Sequence, residues 1–413
     1  MSNELDRDRS SRRHFLKTAG LAGSVGLLGG GTVLAATAKT VALPFVNGQR
    51  DITSAFPQKG AMLLLRTRSP LLDTPFDVFD HGVFTPNNRF YVRWHLPNVP
   101  TQIDADAFRL NVHGHTNKPL SLSLKQLMND FEPVEMAAVN QCSGNSRGFF
   151  EPRVAGGQWS NGAMGNATWT GVRLKDVLDR AGVKSGAVQV RFNGMDSGIL
   201  PGTPDFLKSL DLDHARDGEV MIAYGMNGEA LPLLNGFPTR LVVPGWFATY
   251  WVKMLNDIEV LDRPDDNFWM AKAYMIPDTP HANVRPDQTG YKSVPINRMV
   301  PRSFITNLSD GSQVPSGHPV KVRGIAFGGD TGVRKVQWSS DGGRHWENAK
   351  LEADHGKYSF RRWNAQYTPR TKGENVLMVK AVNSDGVEQP LTANWNPGGF
   401  MRNVVESVKV SVV

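Results

Sequence analysis

The hydrophobic pattern changes character near Tyr274, and no single sheet or helical bundle can satisfy both halves. Residues 276–302 are rich in Pro and Asn, and beyond them strand patterns recur at about ten-residue spacing: Pro319 to Ile325, Val333 to Ser339, Tyr358 to Trp363, Asn375 to Val382 and Val404 to Val412. Asp341-Gly342-Gly343 supplies a tight turn between two of these runs. An immunoglobulin-like β-sandwich over 286–413 is the natural outcome, its core resting on Trp338, Trp346, Phe360 and alternating Val and Ile. Before Tyr274 the pattern is mixed. Arg89 to His95, Phe108 to Val112, Val188 to Phe192, Glu219 to Tyr224 and Arg240 to Pro244 read as strands. Leu122 to Phe131 and Leu174 to Ala181 have helical spacing, with Ser123 or Thr170-Gly171 available near their starts. Without regular βαβ alternation, residues 39–285 read as an α+β domain. Within it, Lys39 to Pro75 looks irregular, wrapping over the surface before a core that begins near Asn88.

The N-terminus carries Ser11-Arg12-Arg13-His14-Phe15-Leu16-Lys17, then a Gly-rich, weakly apolar stretch ending in Ala36-Thr37-Ala38. This reads as a twin-arginine signal over residues 1–38, removed by signal peptidase rather than kept as an anchor, and leaves no membrane span afterwards. That route carries proteins already folded, commonly around a cofactor, so the expected location is the periplasm. The chain has a formal charge of +7 but no Lys/Arg run and no basic residues interleaved with aromatics, which leaves nucleic-acid binding without a footprint. Mild basicity favours small anions or an acidic protein partner.

One cysteine among 413 residues excludes an intramolecular disulfide, a Cys-based zinc finger and an iron–sulfur ligand set. Covalently attached c-type haem is excluded too, because Cys-x-x-Cys-His is missing. An isolated cysteine is most often a small buried hydrophobe. Here the surroundings argue otherwise. Val139-Asn140-Gln141-Cys142-Ser143-Gly144-Asn145-Ser146-Arg147-Gly148 is polar and Gly-rich, with Arg147 five positions on to stabilise a thiolate. A soft thiolate suits a metal held otherwise by sulfur.

These segments together resemble the sulfite oxidase family, and within it the exported bacterial sulfite dehydrogenases. Asn140 to Asn145 matches the family's Asn-Gln-Cys-x-Gly-Asn core, and Phe90-Tyr91-Val92-Arg93-Trp94-His95 matches its Arg-x-His strand. Asn161 to Val172, Gly194-Met195-Asp196-Ser197, Gly236 to Gly245 and Trp251-Val252-Lys253 follow in family order, so the likeness runs from about residue 85 to the C-terminus. The resemblance implies a molybdenum–molybdopterin cofactor with Cys142 as the protein's only ligand to the metal. It further implies Arg93, His95, Arg147 and Tyr274 as catalytic groups, with Trp159 in the pocket wall. Tyr91, Arg93, His95, Cys142, Asp196, Asn235, Arg240, Trp251, Val252 and Lys253 are carried over as cofactor contacts. Asn235 stands where animal members have a histidine; its amide can still hydrogen-bond.

Guanidinium groups offer paired donors that fit sulfite oxygens, and Arg93 and Arg147 suit that task. If Arg93 and His95 lie on a strand, both face one side. The implied reaction is oxidation of sulfite to sulfate, with electrons leaving to an external acceptor, such as a c-type cytochrome subunit or soluble cytochrome. Pairing as a homodimer, or as a heterodimer with the cytochrome, follows from the same resemblance. Two rival reactions share the scaffold: periplasmic reduction of methionine sulfoxide, and nitrate reduction. A secreted binding protein with a structural cysteine is the non-enzymatic rival, but it leaves the Arg-x-His and Asn-Gln-Cys segments unexplained.

Overall fold

The computed structural model describes residues 39–413, so the signal segment expected over 1–38 lies outside the described residues. The described chain holds two regions. The N-terminal one has three sheets and short helices, the C-terminal one has two facing sheets, and a two-stranded sheet of Met275–Pro277 and Ser293–Pro295 lies between them in sequence.

Lys39 to Pro75 departs from the irregular wrapping expected of it. Thr40–Ala42, Gln49–Thr53, Met62–Arg66 and Leu71–Asp73 pair antiparallel in succession, and Val92–Arg93 completes the sheet. Met62 and Leu72 are fully buried, so the core starts well before Asn88. These strands are three to five residues long, too short for period-two alternation to stand out in sequence. Arg89 to His95 is likewise not one long strand: Arg89 ends a 3-10 turn and only Val92–Arg93 pairs. The extended run nevertheless keeps its alternation. Phe90, Val92 and Trp94 are buried, and the side chains between them, Tyr91, Arg93 and His95, line one cavity.

The helix expected from Leu122 to Phe131 spans Leu124–Asn129 and buries Leu124, Leu127 and Met128. Ser123 is its N-cap in a capping box: Gln126 N donates to Ser123 Oγ at 3.1 Å, and Ser123 N donates to Gln126 Oε1 at 3.0 Å. The second helix is Leu174–Ala181 as expected, although Thr170-Gly171 lies inside the preceding strand and Arg173 is the N-cap. The strand that leads to Cys142, Pro133–Gln141, pairs antiparallel with Met164–Arg173, bringing Asn140 opposite Gly165. A Cβ at Gly165 would stand 2.5 Å from the Phe90 ring, so glycine lets the strand approach the Tyr91 run.

In the C-terminal region one sheet orders Arg302–Ile305, Val320–Phe327, Arg361–Tyr367 and Lys350–Leu351. The other orders Ser312–Val314, Glu406–Val412, Gly373–Asn383, Val333–Ser339 and Glu347–Asn348. Val322, Trp338, Trp363, Leu377 and Val410 fill the space between the sheets, giving the two-sheet sandwich the strand spacing predicts. Trp346 and Phe360 are not in that core. Trp346 is half-buried at the edge under Lys380, and Phe360 belongs to a junction cluster with Phe79, Val139, Met164, Phe247, Phe304 and Phe327. Val139 and Met164 lie on the two strands that hold Cys142, so the junction braces the cysteine segment from below. Arg302, fully buried, spans the same junction: it pairs with Glu406 at 2.7 Å and donates to Ser146 Oγ at 3.1 Å. Among the described residues no helix is long and apolar enough to cross a membrane.

Candidate active site

Cys142 sits at the end of its strand, 8% exposed, at the wall of a narrow cavity. Its N–H donates to Ala163 O at 2.9 Å and its carbonyl accepts from Asn145 N at 2.9 Å, which turns the chain sharply after the thiol. Asn145 locks the turn by donating to Gln141 Oε1 at 3.2 Å and accepting from Ala163 N at 3.0 Å. Gly144 is required beneath it. A Cβ there would stand 2.4 Å from Arg147 Nη2, so the guanidinium packs directly against the turn.

Tyr91 donates from its hydroxyl to Asn140 Oδ1 at 2.7 Å, coupling the Arg-x-His run to the cysteine strand. His95 Nε2 and the Tyr274 hydroxyl share a short hydrogen bond, while Phe206 stacks on the imidazole with ring centres 3.5 Å apart. Burial, assisted by Arg93, Lys253, Lys208 and Arg66, drives the His95 pKa well below the usual imidazole range. The imidazole is therefore neutral at neutral pH. Burial also raises the Tyr274 pKa, with the Cys142 thiolate charge adding to it and Arg93 opposing it. Tyr274 keeps its proton, so the neutral imidazole and the phenol share one hydrogen between Nε2 and the hydroxyl oxygen. The Arg93 guanidinium carbon lies 6.0 Å from the centre of the Tyr274 ring.

At the other end Asn235, Arg240 and Lys253 meet Lys59, a residue the sequence reading passed over. Lys59 Nζ donates to Asn87 O at 2.8 Å, Phe90 O at 2.9 Å and Asn235 Oδ1. Asn235 Nδ2 donates to Tyr91 O at 3.1 Å, and its carbonyl accepts from Arg240 Nη1 at 3.0 Å. Arg240 lies over Trp169 and Trp251, and Lys253 over Trp94 at 4.4 Å, so aromatic faces rather than carboxylates hold these cations. Burial lowers Lys59 and Lys253 to about 7 and Arg240 to about 10. Burial also lifts the Asp196 carboxyl, while Lys253 draws it down.

Tyr91, Arg93, His95, Cys142, Asn235, Arg240, Lys253 and Tyr274 thus face one cavity. Arg147, Trp159, Asp196, Trp251 and Val252 stand outside its wall. Arg147 lies behind the Gly144 turn. Trp159, 1% exposed, meets Tyr91 edge to face from the core side, behind the residues that line the cavity. Phe206 and Lys208 were missed beside Lys59. Lys208 is fully buried, 4.4 Å from the centre of the Tyr250 ring. Single Lys and Phe residues in ordinary loop or strand context carry no sequence signal of this kind.

The site fits an anionic, metal-bearing cofactor. Its wall has three cations and no carboxylate. Arg93 Nη1, Asn140 Nδ2, Ser143 Oγ and Arg240 Nε are buried without a hydrogen-bond partner. Among the described residues no cluster of three or more His, Cys, Asp or Glu could hold a metal, so a metal at Cys142 needs donors that arrive with its own cofactor.

Residues 95–269 match the oxidoreductase molybdopterin binding domain family, and residues 293–413 the Mo-co oxidoreductase dimerisation domain family. Fold and site together define a molybdopterin-binding oxidoreductase. The chain is 34% identical over 380 residues to the mitochondrial sulfite oxidase of Rattus norvegicus, covering 88% of this chain and 68% of that protein. It belongs to the sulfite oxidase family. A NADH nitrate reductase of Spinacia oleracea is 29% identical over 381 residues, covering 85% of this chain and 40% of that protein. Among solved structures, the sulfane dehydrogenase SoxCD of Paracoccus pantotrophus shares the fold, with a TM-score of 0.72 at 23% identity over 94% of this chain and 93% of that one.

Proposed function

We propose that this protein oxidises sulfite to sulfate in the periplasm and passes the electrons to an external acceptor, a c-type cytochrome. The observation that carries the reading is the cavity at Cys142, lined by cations and free of carboxylates, since such a wall selects a small oxyanion. Similarity to sulfite oxidases supports sulfite over nitrate. In this reading residues 1–38 are a twin-arginine signal, 39–285 the catalytic domain and 286–413 an immunoglobulin-like domain through which two copies pair, or through which the chain joins a cytochrome subunit.

Cys142 would bind molybdenum, and Asn235, Arg240 and Lys253, with Asp196, Trp251 and Val252 behind them, would hold the pterin and its phosphate. When bound, the cofactor supplies the two-electron redox couple. Arg93 offers a buried, unpartnered N–H to the anion. The neutral His95 keeps the Tyr274 hydroxyl oriented, and Phe206 shields that pair from water. Arg147 adds fixed positive charge behind the turn.

Steady-state turnover with sulfite and ferricyanide, beside methionine sulfoxide or nitrate with a reduced dye, tests the reading. Turnover only in the reductive assays would overturn it. Protein purified without molybdenum after coexpression with the cofactor pathway would instead favour a binding protein. Tyr274→Phe removes the hydroxyl on His95 and keeps the ring; kcat is expected to fall by about tenfold while KM changes by less than about threefold. Pre-steady-state and steady-state kinetics across pH check this, and a raised KM with kcat unchanged would place the hydroxyl in binding instead.

A further inference from the structure

The segment from Asn394 to Asn403 leaves the sandwich just before its last strand, Glu406–Val412, and returns across the face that carries Cys142. It is tied down at close intervals. Asn394 Nδ2 donates to His281 O at 3.2 Å, and Trp395 Nε1 donates to Pro152 O at 2.7 Å. Asn396, fully buried, donates to Ala282 O at 3.1 Å and accepts from Phe400 N at 3.0 Å. Met401 N then donates to Ser143 O at 3.1 Å, one residue past the cysteine. A Cβ at Gly399, whose φ is +59°, would stand 2.5 Å from Val154 and 2.8 Å from Arg147 Nε, so the strap lies hard against Arg147.

At its apex Phe400 is half-buried and touches two proposed active-site groups at once. Its ring stacks on Tyr274, with centres 5.5 Å apart and planes 20° from parallel. The Arg147 guanidinium carbon lies 5.1 Å from the centre of the same ring. Arg147 is otherwise held by carbonyls, donating from Nε to Gly398 O at 3.2 Å and from Nη1 to Gly157 O at 3.3 Å. An aromatic face and carbonyl oxygens orient a guanidinium without neutralising it, whereas a carboxylate would spend its charge locally.

We infer that Phe400 is a positioning residue, which aligns Arg147 and Tyr274 through the strap and so sets the affinity of the site for its oxyanion. The inference rests on the proposed function for the identity of the anion. Phe400→Ala leaves Arg147 on carbonyls alone and unstacks Tyr274; Phe400→Leu restores bulk without an aromatic face; Phe400→Tyr restores both. The measurements are sulfate affinity of the cofactor-loaded protein by calorimetry, sulfite KM and kcat, molybdenum content and melting temperature. Expected for Phe400→Ala is sulfate binding weaker by about fivefold or more and a matching rise in KM, with metal content unchanged. Phe400→Tyr should return to within about twofold of the parent, and Phe400→Leu should recover melting temperature but not affinity. Unchanged sulfate affinity in Phe400→Ala, full recovery of affinity in Phe400→Leu, or no sulfate binding by the parent protein would each overturn the inference. Absence of sulfite turnover in the parent protein would sink the proposed reaction, while the sulfate titrations would still decide the role of Phe400.

Discussion

Cys142→Ser is expected to abolish sulfite turnover, by at least about a thousandfold, while the protein still folds. The thiol and the hydroxyl are close in size, and the segment's shape is set by hydrogen bonds of Asn145, Ala163 and Asn140 rather than by the sulfur. What changes is the donor. A soft thiolate at a metal is replaced by a hard, high-pKa hydroxyl, and no His, Cys, Asp or Glu cluster among the described residues can substitute. Molybdenum content, the cofactor's visible absorption and ferricyanide-linked turnover read the outcome. A variant that retains metal and parent-level turnover would show that the ligand lies elsewhere.

Arg93→Met should raise the KM for sulfite by about tenfold or more and weaken sulfate inhibition in parallel, because loss of one charge-assisted contact costs about 1.5–3 kcal/mol. Methionine fills much of the same volume, so packing beside Tyr274 survives while the buried N–H now without a protein partner disappears. The remaining cations, Arg240 and Lys253, are anchored at the Asn235 end and cannot move up to compensate. Sulfite saturation curves with and without sulfate measure both effects. A KM within about twofold of the parent would mean that the guanidinium serves the cofactor alone.

Much of this arrangement was legible because function had left local marks. A cysteine flanked by Asn, Gln and Gly rather than by aliphatic residues announces a site, and the i, i+2 spacing of Arg93 and His95 places both on one side even though little of that run is paired strand. The evenly spaced strand patterns beyond Tyr274 announced the sandwich for the same reason: alternation is a local property. What sequence hid is what depends on distant chain segments meeting. Lys59 becomes part of the site only because the hairpins before Leu71 fold onto the Phe90 run, and those hairpins are too short to show a period. The motif position of Trp159 likewise says nothing of how its fully packed indole sits behind Tyr91. Phe360 joined the junction rather than the sandwich core, since alternation names a face but not the layer that covers it.

The aromatic seats of Arg240 and Lys253, and the carbonyl cradle of Lys59, leave like charges close together, with the Asp196 carboxyl offsetting Lys253 in part, which makes cofactor loading a proton-linked event. With Lys59 and Lys253 lowered to about 7, the cofactor-free fold sheds protons that the unfolded chain would keep up to the ordinary lysine value of 10.5. Between about pH 7 and 10 the unfolded chain therefore binds more protons, and the stability of the empty protein rises with pH across that window. Loading runs the other way. An anionic phosphate restores the lysine charges, protons are taken up, and affinity is level below about pH 7 and falls above it. Reconstitution of cofactor-free protein at a series of pH values, beside its denaturant midpoint at each, would show the two curves diverging; parallel curves would mean that these lysines never lose their protons. Opposed slopes would make neutral pH the ceiling at which an empty fold is loose enough, and protonated enough, to be completed by its cofactor.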